Sequence, residues 1–129
     1  MITTALTEMF GLQHPIILGP MGGVSGGRLA AAVSNAGGLG LVGGGYGDAD
    51  WLGRELALVT GEARRPWGVG LITWSIGPGI VDLALAQRPA AFMLSFGDPR
   101  PHAAAIKAAG CKLICQVQGL AETRLAQQA

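Results

Sequence analysis

Short apolar segments recur along this chain roughly every twenty to thirty residues, and they are continuous rather than alternating. They are IIL at 16–18, LGLV at 39–42, WGVGLI at 67–72, AFML at 91–94 and KLICQV at 112–117. A strand with one wet face alternates apolar and polar residues; a strand buried on both faces does not. Helical patterns fill the gaps. Ser25 is placed to cap a helix whose inner face is Leu29, Val33 and Ala36, with Gly37 as its stop. Asp48 caps a second helix carrying Leu52, Leu56 and Val59, ended by Gly61. Pro78-Gly79 opens a third through Ile80, Leu83 and Leu85, closed by Pro89. Asp98-Pro99 starts a fourth with a cap and a first-turn proline, and Gly110 stops it. A fifth begins near Leu120, and a short helix over 4–10 precedes the whole series. Five strand–helix units in succession imply parallel strands joined by right-handed crossovers. Two architectures satisfy this pattern: an open doubly wound sheet, or an arc of a (β/α)8 barrel.

The 129 residues suit one domain. Half are hydrophobic, only 13% are charged, and the mean hydropathy is +0.42. That is apolar for a chain with so high a surface-to-volume ratio. It fits a sheet buried on both faces, or a surface meant to be covered. The net charge is +1, and Arg64-Arg65 is the one adjacent basic pair. Scattered charge without interleaved aromatics excludes a nucleic-acid binder. The longest uncharged runs are broken by Gly and Pro, so no membrane span is expected. MITTALTEMF has neither a basic nor an apolar leader region, and a cytoplasmic location follows. Cys111 and Cys115 would share one face of a strand, too far apart for easy bridging. No ligand set completes a metal site, so both read as small buried hydrophobes.

Glycine carries the remaining information. Gly38, Gly40 and Gly43 fit G-x-G-x-x-G, but here the motif follows a helix and contains a strand, which excludes a dinucleotide fingerprint. These glycines relieve crowding where helix passes into strand. GPMGGVSGG at 19–27 lies instead at the carboxyl end of a strand, where ligands bind in both parallel architectures. It reads either as bare main chain against a flat ring or as a tight turn without function. The other strand ends, 70–75, 95–97 and 116–118, are small or polar, and none is acidic. Asp98 is a helix cap, His14 lies before the first strand, and His102 sits in a helix. No nucleophilic triad is present. A binding face without acid, base or nucleophile suits a cofactor that carries its own chemistry.

HPIILGPMGGVSGGRLAAAVSNAGGLGLVGGG resembles the N-terminal part of the FMN-dependent nitronate monooxygenases, formerly 2-nitropropane dioxygenases. RPWGVGLITWSI, AAFMLSFGDP and AAGCKLICQVQGLAETRLAQQA follow in matching order. The resemblance implies a TIM barrel, with residues 1–129 as the first five βα units of a single barrel domain, incomplete in this chain. It implies FMN at the carboxyl-terminal face, with Gly19, Pro20, Met21 and Gly22 against the isoalloxazine ring and Gln116 at the ring edge. Gly70 matches a position where many members carry an Asn that bonds the flavin. The implied reaction is oxidation of alkyl nitronates by O2. The family's catalytic histidine and phosphate site lie further along than this sequence reaches, so no catalytic residue is expected here and the chain alone is expected to be inactive. FMN-dependent enoyl-acyl carrier protein reductases look similar in this region. A cofactor-free βα module that self-associates through its sheet edges is the alternative from a different class.

Overall fold

A computed structural model describes residues 2–129. Helix α1 spans Ala5–Phe10, α2 Gly27–Asn35, α3 Ala49–Glu62, α4 Ile80–Leu85, α5 Arg100–Ala108 and α6 Leu120–Gln127. Strand β1 spans Gly40–Gly43, β2 Trp67–Ile72, β3 Ala91–Ser95 and β4 Lys112–Gln116. Among the described residues they form one sheet, ordered β1-β2-β3-β4, with every neighbour parallel. Sequential order with a crossover helix at each step is the barrel-like winding, not the doubly wound one, whose strand order reverses.

The first expected strand survives as a single parallel bridge, Ile17 to Leu39. The Leu39 amide donates to the Ile16 carbonyl and the Leu18 amide to the Leu39 carbonyl, both at 2.9 Å. Its apolar run is three residues long, with Pro15 before it and Gly19-Pro20 after it, so no longer ladder can form.

The two faces of the sheet carry separate apolar clusters. Val42, Val69, Leu71, Phe92 and Leu94 pack on the helical side against Leu52, Leu56, Val59 and Ile106. Fully burying one such leucine contributes about 1.5–3 kcal/mol. On the other face Leu39, Leu41 and Ala91 meet Phe10 and Leu12, so α1 covers the amino-terminal ends of the strands. Helix α1 starts with a capping box: the Thr7 amide donates to Thr4 Oγ1 at 3.2 Å and the Thr4 amide to Thr7 Oγ1 at 2.8 Å. Gly11, at φ 64°, ends it.

Helix α2 shows where side-chain size overrules periodicity. Its buried residues are Gly27, Ala30, Ala31 and Ser34, whereas Leu29 is exposed and Val33 only half-buried. The helix lies so close to β1 that a Cβ at Gly40 would overlap the Ala30 carbonyl. Only the smallest residues fit such an approach, which turns the expected Leu29–Val33–Ala36 face aside. The Gly40 amide donates to Ser34 Oγ at 2.9 Å, fixing the contact. Gly40 therefore has the structural role expected of it.

Other boundaries moved by a residue or two. Helix α3 is capped by Asp48, which accepts from the Trp51 amide at 2.9 Å, and it runs through Gly61 to Glu62. Asp98 accepts from the Arg100 amide at 3.0 Å and so serves the first turn of α5 from just outside it. Cys111 is buried, Cys115 is half-buried, and both are free thiols. Among the described residues no helix is long and apolar enough to cross a membrane, and no cluster of side chains suits a metal ion.

Candidate functional site

All four strands point their carboxyl ends to one rim, and the 19–27 segment crosses that rim. Its main chain is seated on strand glycines. Gly43 lies directly beneath the Met21 backbone, and a Cβ at Gly22 would come within 2.9 Å of Gly45 Cα. The Gly43 amide donates to the Ser25 carbonyl at 2.8 Å, tying loop to strand. Glycine is required here because backbone rests on backbone.

Ser25 does not cap α2 as its position suggested. Its hydroxyl is fully buried inside the loop, where Oγ accepts from the Met21 amide at 2.6 Å and donates to the Met21 carbonyl at 3.0 Å. The α2 amino terminus is served instead by Glu55 from α3, whose Oε2 accepts from the Gly27 amide at 2.7 Å. Helices α2 and α3 approach closely enough for this because Gly27 sits against the Glu55 carbonyl and the Val59 amide.

Beneath the loop opens a cavity of about 390 Å³, within the range of small-ligand sites. Gly19, Pro20, Met21, Gly22, Gly70 and Gln116 all line it, so the six positions picked from the sequence converge on one space. They arrive from three places in the chain: the 19–22 loop, the middle of β2 and the end of β4. Gly45, Leu71, Ile72, Met93, Ser95 and Phe96 complete the wall. No ionisable side chain is among them. Neither His14 nor His102 lines the cavity. Among the described residues the Gln116 side chain and Ser95 Oγ have no hydrogen-bond partner within the chain.

Gly70 offers little beyond space. The Pro20 ring occupies the volume that a side chain at residue 70 would fill, and the Gly70 carbonyl accepts from the Gly44 amide at 2.8 Å. An Asn at this position would have to displace Pro20. Met21 likewise presents a side chain that is 47% exposed, while its own amide and carbonyl are engaged by Ser25. On the cavity wall, the loop's main chain at Gly19 and Gly22 is left free of such bonds. Met93 escaped notice in the sequence, although alternation along β3 was the available signal. Phe96 leaves no such signal, because it departs from that alternation.

A family model described as nitronate monooxygenase matches residues 3–76. The chain belongs to the nitronate monooxygenase family. A nitronate monooxygenase of Pseudomonas aeruginosa is 32% identical to it, across 88% of this chain and 44% of that protein. A relative from Rhodococcus jostii, the (3aS,4S,5R,7aS)-5-hydroxy-7a-methyl-1-oxo-octahydro-1H-indene-4-carboxyl-CoA dehydrogenase, is 32% identical over 114 residues, covering 88% of this chain and 32% of that protein. Among solved structures, FabK from Thermotoga maritima superposes with a TM-score of 0.90 at 27% identity, over 99% of this chain and 42% of that one. Nitroalkane oxidase from Streptomyces ansochromogenes gives 0.78 at 29% identity, over 97% and 46%. The chain therefore spans less than half the length of each of these proteins. Its fold is that of the N-terminal part of their TIM barrels.

Proposed function

We propose that this chain forms the flavin-facing part of an FMN-dependent oxidoreductase that oxidises alkyl nitronates with O2. The supporting observation is the convergence of Gly19, Pro20, Met21, Gly22, Gly70 and Gln116 on one uncharged cavity at the strand carboxyl ends, in a family of flavin-dependent oxidoreductases. The lining fits a neutral planar ring: glycine main chain on one side, apolar side chains across from it, and an unpartnered carboxamide at the edge. It does not fit a phosphate, for which the lining has no Lys, Arg or His. The phosphate would be held by later parts of a complete barrel, as the resemblance implies.

When bound, FMN supplies the electron acceptance and oxygen reactivity that nitronate oxidation needs. The residues of this chain orient and enclose. Gly22 presents main chain to the ring face. Gln116 can donate or accept at the ring edge through its carboxamide. Met93 and Phe96 exclude water from the apolar side. None of them has to move a proton, because a nitronate is already deprotonated at carbon.

The test is titration of the full chain with FMN, followed by flavin fluorescence. The wild type should quench the flavin with weak affinity, and Gly22→Val should weaken binding by about tenfold or more, since any side chain at residue 22 meets Gly45. No quenching, or a Gly22→Val chain that binds like the wild type, defeats the cofactor assignment. Oxygen uptake with alkyl nitronates by a protein carrying this segment within the complete barrel then separates this reaction from NAD(P)H-dependent enoyl reduction. It also separates it from oxidation of a CoA thioester, a second reading favoured by the Rhodococcus jostii relative.

A further inference from the structure

We propose that Phe96 is a specificity-determining residue of the cavity, its ring limiting the bulk of the alkyl group that a substrate can carry; the inference rests on the flavin reading above. Along β3 the side chains alternate. Phe92 and Leu94 belong to the helix-packed cluster, while Met93 and Ser95 line the cavity. One more residue of extended chain would send position 96 outward, beside Phe92 and Leu94. Phe96 instead has φ 60°. This left-handed conformation breaks the alternation and leaves two consecutive residues, Ser95 and Phe96, on the cavity wall.

A bulky side chain at positive φ is a genuine backbone outlier, and such strain collects at ligand clamps and active sites. The next residue holds the turn in place: a Cβ at Gly97 would lie 2.9 Å from Thr73 Cβ, so the chain beyond Phe96 is pressed against the end of β2. Phe96 gains little from the core, because it is 47% exposed. Its apolar neighbours on the wall are Ile72 and Met93. With glycine main chain opposite, this is the side on which the carbon skeleton of a bound substrate would rest.

The experiment compares Phe96→Gly and Phe96→Ala with the wild type, each as the full chain saturated with FMN. Acetate, hexanoate and benzoate serve as unreactive carboxylate mimics of nitronates, and their binding is read from perturbation of the visible flavin band. Both variants should favour hexanoate and benzoate over acetate about tenfold more than the wild type does. Phe96→Gly should unfold no earlier than the wild type, since glycine accepts the positive φ, and Phe96→Ala should unfold earlier than Phe96→Gly. An unchanged preference across the three acids overturns the proposal. So does a Phe96→Gly chain that melts well below the wild type, which would make Phe96 a packing residue. Failure of the wild type to take up FMN overturns the cavity reading and this inference with it. Uptake with an unchanged acid preference removes only the role of Phe96.

Discussion

Cys111 sits between α5 and β4 with 5% of its surface exposed, and burial pushes its thiol up to about 11 from 9.0. The unfolded chain therefore releases this proton at lower pH than the folded chain does. Below the ordinary thiol range both states keep the proton and stability is indifferent to it. From about pH 9 to about 11 only the unfolded state is relieved by ionisation, so stability falls as pH rises. Unfolding midpoints measured across that window should drop more steeply for the wild type than for Cys111→Ala; parallel curves would refute the assignment. The sequence marked Cys111 as a small buried hydrophobe because its spacing to Cys115 suits neither a zinc site nor an easy bridge. It could not mark Ser25 as a loop clasp, because a serine ahead of a helix looks the same whether it caps or turns back to Met21.

At the scale of elements, α2 on β1 is the contact on which the rim depends. The Ala30 carbonyl lies over Gly40, Ser34 Oγ accepts from the Gly40 amide, and Glu55 holds the other end of the helix. Gly40→Ala would force backbone against backbone, and overpacking of this kind costs about 1–3 kcal/mol. The expected result is a lower unfolding midpoint with the helical signal retained, measured by circular dichroism; an unchanged midpoint would mean that the helix can slide. The order of elements was legible because buried parallel strands are continuously apolar and each helix carries its own stop. The buried face of α2 was not, because periodicity ranks leucine above alanine. The distance between α2 and β1 reverses that order, and only the glycine at residue 40 hints at it.

For the whole molecule, the parallel strands curve around a face that is only partly filled. Ile114 and Met93 are half-buried on it, Gln116 is exposed, and β4 leaves one edge unpaired among the described residues. Open edges beside apolar surface favour association. Sedimentation of the purified chain is expected to show self-association that rises with concentration, and Ile114→Lys should reduce it. A chain that sediments as a monomer at every concentration would count against this. The convergence of the glycine loop with Gly70 and Gln116 could be anticipated, since parallel strands bring all their carboxyl ends to one rim. The seat of Pro20 on Gly70 could not, because it depends on how deeply the loop settles.

Glu55 has one more effect. A carboxylate carried by the neighbouring helix reaches the amide end of α2 without having to diffuse there, so its local concentration exceeds that of any free phosphate ester in solution. The Gly27 amide, at the positive pole that parallel α/β proteins often turn toward nucleotides, is thus already occupied from within.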